Sequence, residues 1–183
     1  MNEPLIIHAV EKHLVVDPQE RHRRKKVLES WQVLYDAGVV PAHYEKYKRS
    51  ALAIGDKRDL PYLKDVLGFG MEKAAHDGDI ICFTNDDLIL HKELPRYLRR
   101  HIAIWQCCSS HRCEYHYVQM PSMDAPPSEF AKSRERHIGR DLFAFTKHWL
   151  IEYWDEIPDF ILGASDWDLA CAWLIRLKKG FCK

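Results

Sequence analysis

Between Asp79 and Thr84 the chain reads Ile80-Ile81-Cys82-Phe83, four side chains with no charge among them. A strand with one wet face alternates apolar and polar residues. An unbroken apolar run instead fits a strand covered on both faces, as in a parallel sheet packed between helices. Gly78-Asp79 punctuates the run before it starts, and Asn85-Asp86-Asp87 follows it. This run constrains the fold more than any other stretch, because it requires helices on both sides.

The neighbouring segments supply them. Leu5–Val10 reads as a short buried strand. Asp17 as N-cap, Pro18 at the first helical position and Glu20 as capping-box partner predict a helix that carries Val27, Leu28, Trp31, Leu34 and Tyr35 and stops at Gly38. A second strand is expected at Ala51–Ile54, ended by Gly55-Asp56. Pro61 then opens a helix with Leu63, Val66, Leu67, Gly70, Met71 and Ala74 at helical spacing, closed by Gly78. Downstream, a helix is expected over Lys92–Arg100, strands at Ile102–Cys107, Glu114–Gln119 and Leu142–Thr146, and helices over Lys147–Asp155 and Asp166–Lys178. Residues 120–138, with Pro121, Pro126 and Pro127, read as a long loop, a feature that in compact domains is commonly functional. Alternating strands and helices predict an α/β fold, a mostly parallel sheet flanked by helices. The 183 residues suit one domain.

Composition narrows the function classes. Lys+Arg and Asp+Glu number 27 each, so a generally polybasic or polyacidic surface is excluded, though a local patch is not. Six cysteines are too few for a disulfide scaffold. The opening MNEPLIIHAV has no basic n-region, and no apolar stretch approaches a bilayer span, so a cytoplasmic chain with no membrane span is expected.

The chemistry is concentrated in Asn85-Asp86-Asp87. In open α/β sheets, ligands bind beyond the carboxyl ends of the strands. Two carboxylates and an amide there make a hard-oxygen site suited to Mg²⁺ or Mn²⁺, which completes its shell with substrate phosphates. The plain alternative is a polar turn, since Asn and Asp side chains bond nearby backbone.

Pro61-Tyr62-Leu63-Lys64-Asp65 with Gly78-Asp79-Ile80-Ile81-Cys82-Phe83-Thr84-Asn85-Asp86-Asp87-Leu88 resembles the central part of GT-A-type nucleotide-sugar glycosyltransferases, where a buried strand leads to an Asp-x-Asp motif. Gly139-Arg140-Asp141-Leu142-Phe143-Ala144-Phe145, then Pro158-Asp159-Phe160-Ile161-Leu162-Gly163 and Trp167-Asp168, is similar to the acceptor-side half of uncharacterised bacterial members. The resemblance spans roughly residues 50–175. It implies a single GT-A-like, Rossmann-like domain, with residues 1–90 as the nucleotide-sugar half and 91–183 as the acceptor half. It implies a glycosyltransferase that moves a sugar from a nucleotide-diphosphate donor, aided by Mn²⁺ or Mg²⁺, to a glycan or a modified nucleic acid. Asp87 would bind the metal, with Asn85 on the metal or the ribose and Asp86 beside the nucleotide. His8, Val10 and Glu11, in a loop after the first strand, would lie near the base. Asp56 and Arg58 would face the nucleotide, and Lys64 and Asp65 would line its site or form a helix-surface pair. Asn85 stands where the family has its first Asp, and the C-terminal segment that often supplies a further metal ligand, commonly His, is not found.

Transfer with inversion needs a general base for the acceptor hydroxyl. Asp168 is the first candidate and Asp166 the second. Ser165-Asp166-Trp167-Asp168 also reads as a capping box, with Ser165 as N-cap and Asp168 at N3, where negative charge is favoured. Asp141 could bond an acceptor hydroxyl, and Trp167 belongs to the same acceptor set.

Two clusters compete for a role. Cys107, Cys108, His111, Cys113 and His116 are all possible zinc ligands, but their spacing matches no common paired-ligand pattern, and buried thiols are the favoured reading. Arg21, Arg23, Arg24, Lys25 and Lys26, and again Arg96, Arg99 and Arg100, form basic runs that read as solvated helix faces or as phosphate contacts. The alternative to an enzyme is a non-catalytic nucleotide- or glycan-binding protein on the same scaffold.

Overall fold

The computed structural model describes residues 3–11, 18–45, 61–114, 125–126, 129, 135–163, 166–178 and 181–182. In chain order these form β1 (Ile6–Glu11), α1 (Pro18–Asp36), β2 (Val40–Tyr44), α2 (Leu63–Lys73), β3 (Ile80–Thr84), α3 (Leu94–Trp105), β4 (Cys107–Glu114), β5 (Glu135–Thr146), α4 (Lys147–Tyr153) with a 3-10 turn at Trp154–Glu156, α5 (Trp167–Leu177) and β6 (Phe181–Cys182).

One mixed sheet runs β2-β1-β3-β5-β4-β6. β1 pairs in parallel with β2 and β3, and β4 in parallel with β6. β5 lies between β3 and β4 and is antiparallel to both. The sheet is therefore mostly parallel with one reversed strand. Strands from residues 1–90 and from residues 91–183 join in it without a break.

Side-chain alternation sorts two cores. Ile7, Ala9, Ile81, Phe83, Phe143 and Phe145 pack with Leu63, Val66 and Leu67 of α2, Trp149 and Leu150 of α4, and Trp167, Cys171 and Ile175 of α5. Ile6, Val10, Ile80, Cys82, Leu142 and Ala144 pack with Val27, Trp31 and Leu34 of α1 and Leu98 and Ile102 of α3. The apolar run of β3 is thus buried on both faces, as its composition requires. Gly70 lets α2 approach closely: a Cβ there would stand 2.9 Å from Ile81 Cγ2 and 3.2 Å from Ala9 Cβ.

Several boundaries differ from the sequence expectation. The strand at Ala51–Ile54 falls outside the described residues. The second strand of the described structure is Val40–Tyr44, and Pro41 is tolerated there because β1 is its partner on one side only among the described strands. The strand expected at Ile102–Cys107 is instead the end of α3. Leu98 and Ile102 stay on its buried face, and Gln106 closes it at φ 58° before β4 begins. The strand expected at Glu114–Gln119 keeps only Glu114, the last residue of β4, inside the described residues. Helix α2 ends at Lys73 rather than Gly78, because Asp79 Oδ2 takes the N–H groups of Ala75 (2.9 Å) and His76 (2.8 Å).

Candidate functional site

The order β2-β1-β3 makes the chain leave β1 towards one side and β3 towards the other. The crevice at such a reversal, beyond the carboxyl ends of the two strands, is the usual ligand position of an open α/β sheet. Here those ends are Glu11 and Thr84, and Asn85-Asp86-Asp87 follows directly.

The three residues after β3 have different partners. Asn85 donates its backbone N–H to the Asp141 carbonyl oxygen (3.2 Å) and its side-chain amide to Asp141 Oδ1, across the β3–β5 pairing. The Asp86 carboxylate is in contact with the Arg24 guanidinium from α1, and both side chains are largely buried. Asp87 is exposed and has no hydrogen bond or ion pair among the described residues. No group of three or more His, Cys, Asp or Glu among the described residues is arranged to hold a metal ion by itself.

The acceptor-side candidates adjoin this point. β5 passes the carboxyl end of β3 first and then runs back along it, with Leu142 opposite Thr84 and Thr146 opposite Ile80. Asp168 Oδ2 accepts the Arg140 N–H at 2.7 Å, which places the first turn of α5 one residue from Asp141. Trp167 is buried against Phe83 (5.7 Å between ring centroids) and Phe143 (5.5 Å) and anchors that turn. The capping-box expectation is corrected. The N-cap is Asp166, at φ 62° and with no side-chain capping bond, so Asp168 is the second helical residue, and its carboxylate reaches β5 rather than its own helix. Ser165 lies outside the described residues.

His8, Val10 and Glu11 are buried strand residues of β1, not a loop after it. His8 Nε2 lies 2.8 Å from Thr84 Oγ1 and Nδ1 lies 2.9 Å from the Tyr35 hydroxyl, which is itself 3.0 Å from His43 Nε2. The His8 ring meets Trp31 edge-on at 4.8 Å. Burial, assisted by His43, lowers the His8 pKa to about 3, so it is a neutral imidazole at ordinary pH. Desolvation also raises the Tyr35 hydroxyl and the Cys82 thiol. This linked set lies under the site on the α1 side, and the alternation of β1 could have shown it: His8 shares a face with Ile6 and Val10.

Lys64 and Asp65 are in the first turn of α2. Lys64 Nζ lies 3.8 Å from Asp159 Oδ1 and 5.9 Å from the Trp154 ring. Asp56 and Arg58 lie outside the described residues. Cys107 and Cys108 are buried on opposite faces of the sheet, so these two thiols do not face a common ion. The side chains of His111, Cys113 and His116 lie outside the described set. In the basic runs, Arg24 meets Asp86, Lys25 lies 3.9 Å from Glu29, Arg96 3.5 Å from Glu93, and Arg99 3.4 Å from Glu3. No described helix is long and apolar enough to cross a membrane.

In comparison with known proteins, no family model matches the chain and no curated protein gives a significant match.

Proposed function

We propose that the chain is a glycosyltransferase that binds a nucleoside-diphosphate sugar beyond β1 and β3 and transfers the sugar to an acceptor hydroxyl. The observation that carries this reading is the linked polar set beyond the carboxyl end of β3: Asn85 bonded to Asp141, and Asp168 bonded to the residue before Asp141. Donor and acceptor chemistry would need carboxylates at adjoining positions, and the closeness of Asp141 and Asp168 to the segment after β3 supports that reading.

The donor set is all oxygen and suits Mg²⁺ or Mn²⁺ held by one or two carboxylates with the remaining ligands from phosphates and water. Asp87 would hold the cation, with Asn85 or Asp141 beside it. When bound, such an ion offsets the charge that develops on a leaving diphosphate. Asp168 presents one carboxylate oxygen to Arg140 N–H. Its other oxygen would take the acceptor proton, and Asp141 would orient the acceptor, a glycan or a modified nucleic acid. Trp167 keeps the α5 turn in place under them.

The second reading is a non-catalytic nucleotide or glycan binder on the same scaffold. Asn85 at the first motif position and the engagement of Asp86 by Arg24 favour it. Donor turnover separates the two: metal-dependent hydrolysis or transfer from any nucleotide sugar supports the enzyme, and binding without turnover supports the binder.

A further inference from the structure

The segment after β3 is gripped by one helix. Arg24 of α1 meets the Asp86 carboxylate and lies 3.4 Å from the Asp86 carbonyl oxygen. Trp31 Nε1 donates to the Leu88 carbonyl oxygen at 2.9 Å. Ser30 Oγ accepts the Leu90 N–H at 3.1 Å and donates to the Val27 carbonyl at 2.7 Å. Residues 86, 88 and 90 are therefore tied to positions 24, 31 and 30 of one helix, α1. Ser30 and Trp31 are 3% and 2% exposed, so neither is a surface residue that happens to touch the loop. The Arg24 and Asp86 side chains are only 15% and 13% exposed, where an unpaired charge is costly and a paired one is held in place.

We infer that Arg24, Ser30 and Trp31 are positioning residues that fix the 86–90 segment, with Asp86 as a strut and Asp87 left as the ligand-facing carboxylate. Asp86 and Asp87 are adjacent in sequence yet do different work. The negative charge of the first answers a guanidinium inside the protein, and that of the second faces solvent. The inference rests on the proposed nucleotide-sugar reading for what Asp87 meets, but not for the grip itself.

The test compares Asp86→Asn, Asp87→Asn, Arg24→Met, Ser30→Ala and the reversed pair Arg24→Asp with Asp86→Arg. Amide hydrogen exchange reports on residues 86–90. Mn²⁺ paramagnetic resonance and calorimetry, with Mn²⁺ alone and with nucleoside diphosphates, report on the ligand. Arg24→Met, Asp86→Asn and Ser30→Ala should each speed exchange of the Leu90 amide at least tenfold, and the reversed pair should restore part of the loss seen in Arg24→Met. Asp87→Asn should leave exchange unchanged while removing the protein-bound Mn²⁺ signal. Equal loss of Mn²⁺ in Asp86→Asn and Asp87→Asn with unchanged exchange would make Asp86 a ligand and overturn the assignment. Exchange at 86–90 that ignores Arg24→Met and Ser30→Ala would overturn the grip. If the native chain binds no nucleotide with Mn²⁺, the transferase reading fails, and the exchange results still decide the positioning role.

Discussion

Asn85 and Asp141 are joined twice, by backbone N–H to carbonyl and by side-chain amide to carboxylate. The pairing suits an amide at position 85, because the Asn85 side chain donates to the Asp141 carboxylate. An Asp at position 85 would set two like charges at hydrogen-bond distance in a part-buried setting. Asn85→Asp should therefore lower stability at pH 7.5 by about 2 kcal/mol, or ~4–8 °C in Tm. Added Mn²⁺ should return part of that loss, because a cation relieves the repulsion. Thermal unfolding with and without Mn²⁺ checks this. A variant as stable as the parent in metal-free buffer would show that Asp141 does not constrain position 85.

The His8 imidazole makes stability depend on pH. Its folded pKa is about 3, below the ordinary value of 6.5, because burial disfavours the charged ring. Above pH 6.5 both folded and unfolded states are neutral at this site and nothing is lost. Between pH 6.5 and 3 the unfolded chain takes up a proton that the folded chain refuses, so stability falls by up to ~1.4 kcal/mol per pH unit. Urea unfolding from pH 7.5 to 4.5 should show this slope, and His8→Gln should show a shallower one. Identical slopes would place the pH response elsewhere.

Asp79 gathers three backbone N–H groups from the segments just before β1 and just after α2. Its Oδ1 takes Leu5 N–H at 3.0 Å, and its Oδ2 takes Ala75 and His76. Asp79→Ala leaves three part-buried backbone donors without their acceptor and should cost about 2 kcal/mol. Denaturant midpoints give the value, and a change below roughly 0.5 kcal/mol would contradict the role, since that is the usual size of a neutral surface substitution.

Gly70→Ala tests the seating of α2. Helix propensity favours Ala by up to ~1 kcal/mol, but the new Cβ meets Ile81 and Ala9, and overpacking costs about 1–3 kcal/mol. Net destabilisation is expected. A gain in Tm would mean that α2 shifts freely on the sheet.

Much of the fold was legible because it rests on periodicity. Ile80–Phe83 had to be buried on both faces, and the spacing of Leu63, Val66 and Leu67 had to form a helix face. β2 was missed because Val40, Ala42 and Tyr44 alternate with Pro41 and His43, a pattern that reads as a turn unless β1 is known to lie beside it. The extent of α3 was missed because Ile102, Ile104 and Trp105 carry strand preference, and packing of Ile102 against the α1-side core overrode it. The end of β5 was expected as the strand Leu142–Thr146, but its start at Glu135, within the loop expected over residues 120–138, and its reversed place between β3 and β4 were not, since long-range pairing sets them. At the site, the position of Asn85-Asp86-Asp87 followed from the strand before it. The division of labour did not, because Arg24 and Asp141 reach it from 62 and 56 residues away.

The most direct test of the account is calorimetric titration of the full chain with nucleoside diphosphates and nucleotide sugars, first in Mn²⁺ and then in EDTA. The account predicts that one nucleotide class binds in Mn²⁺, that EDTA abolishes binding, and that Asp87→Asn does the same with Tm unchanged. Binding that is equal in EDTA, or no binding to any member of the panel, would contradict it.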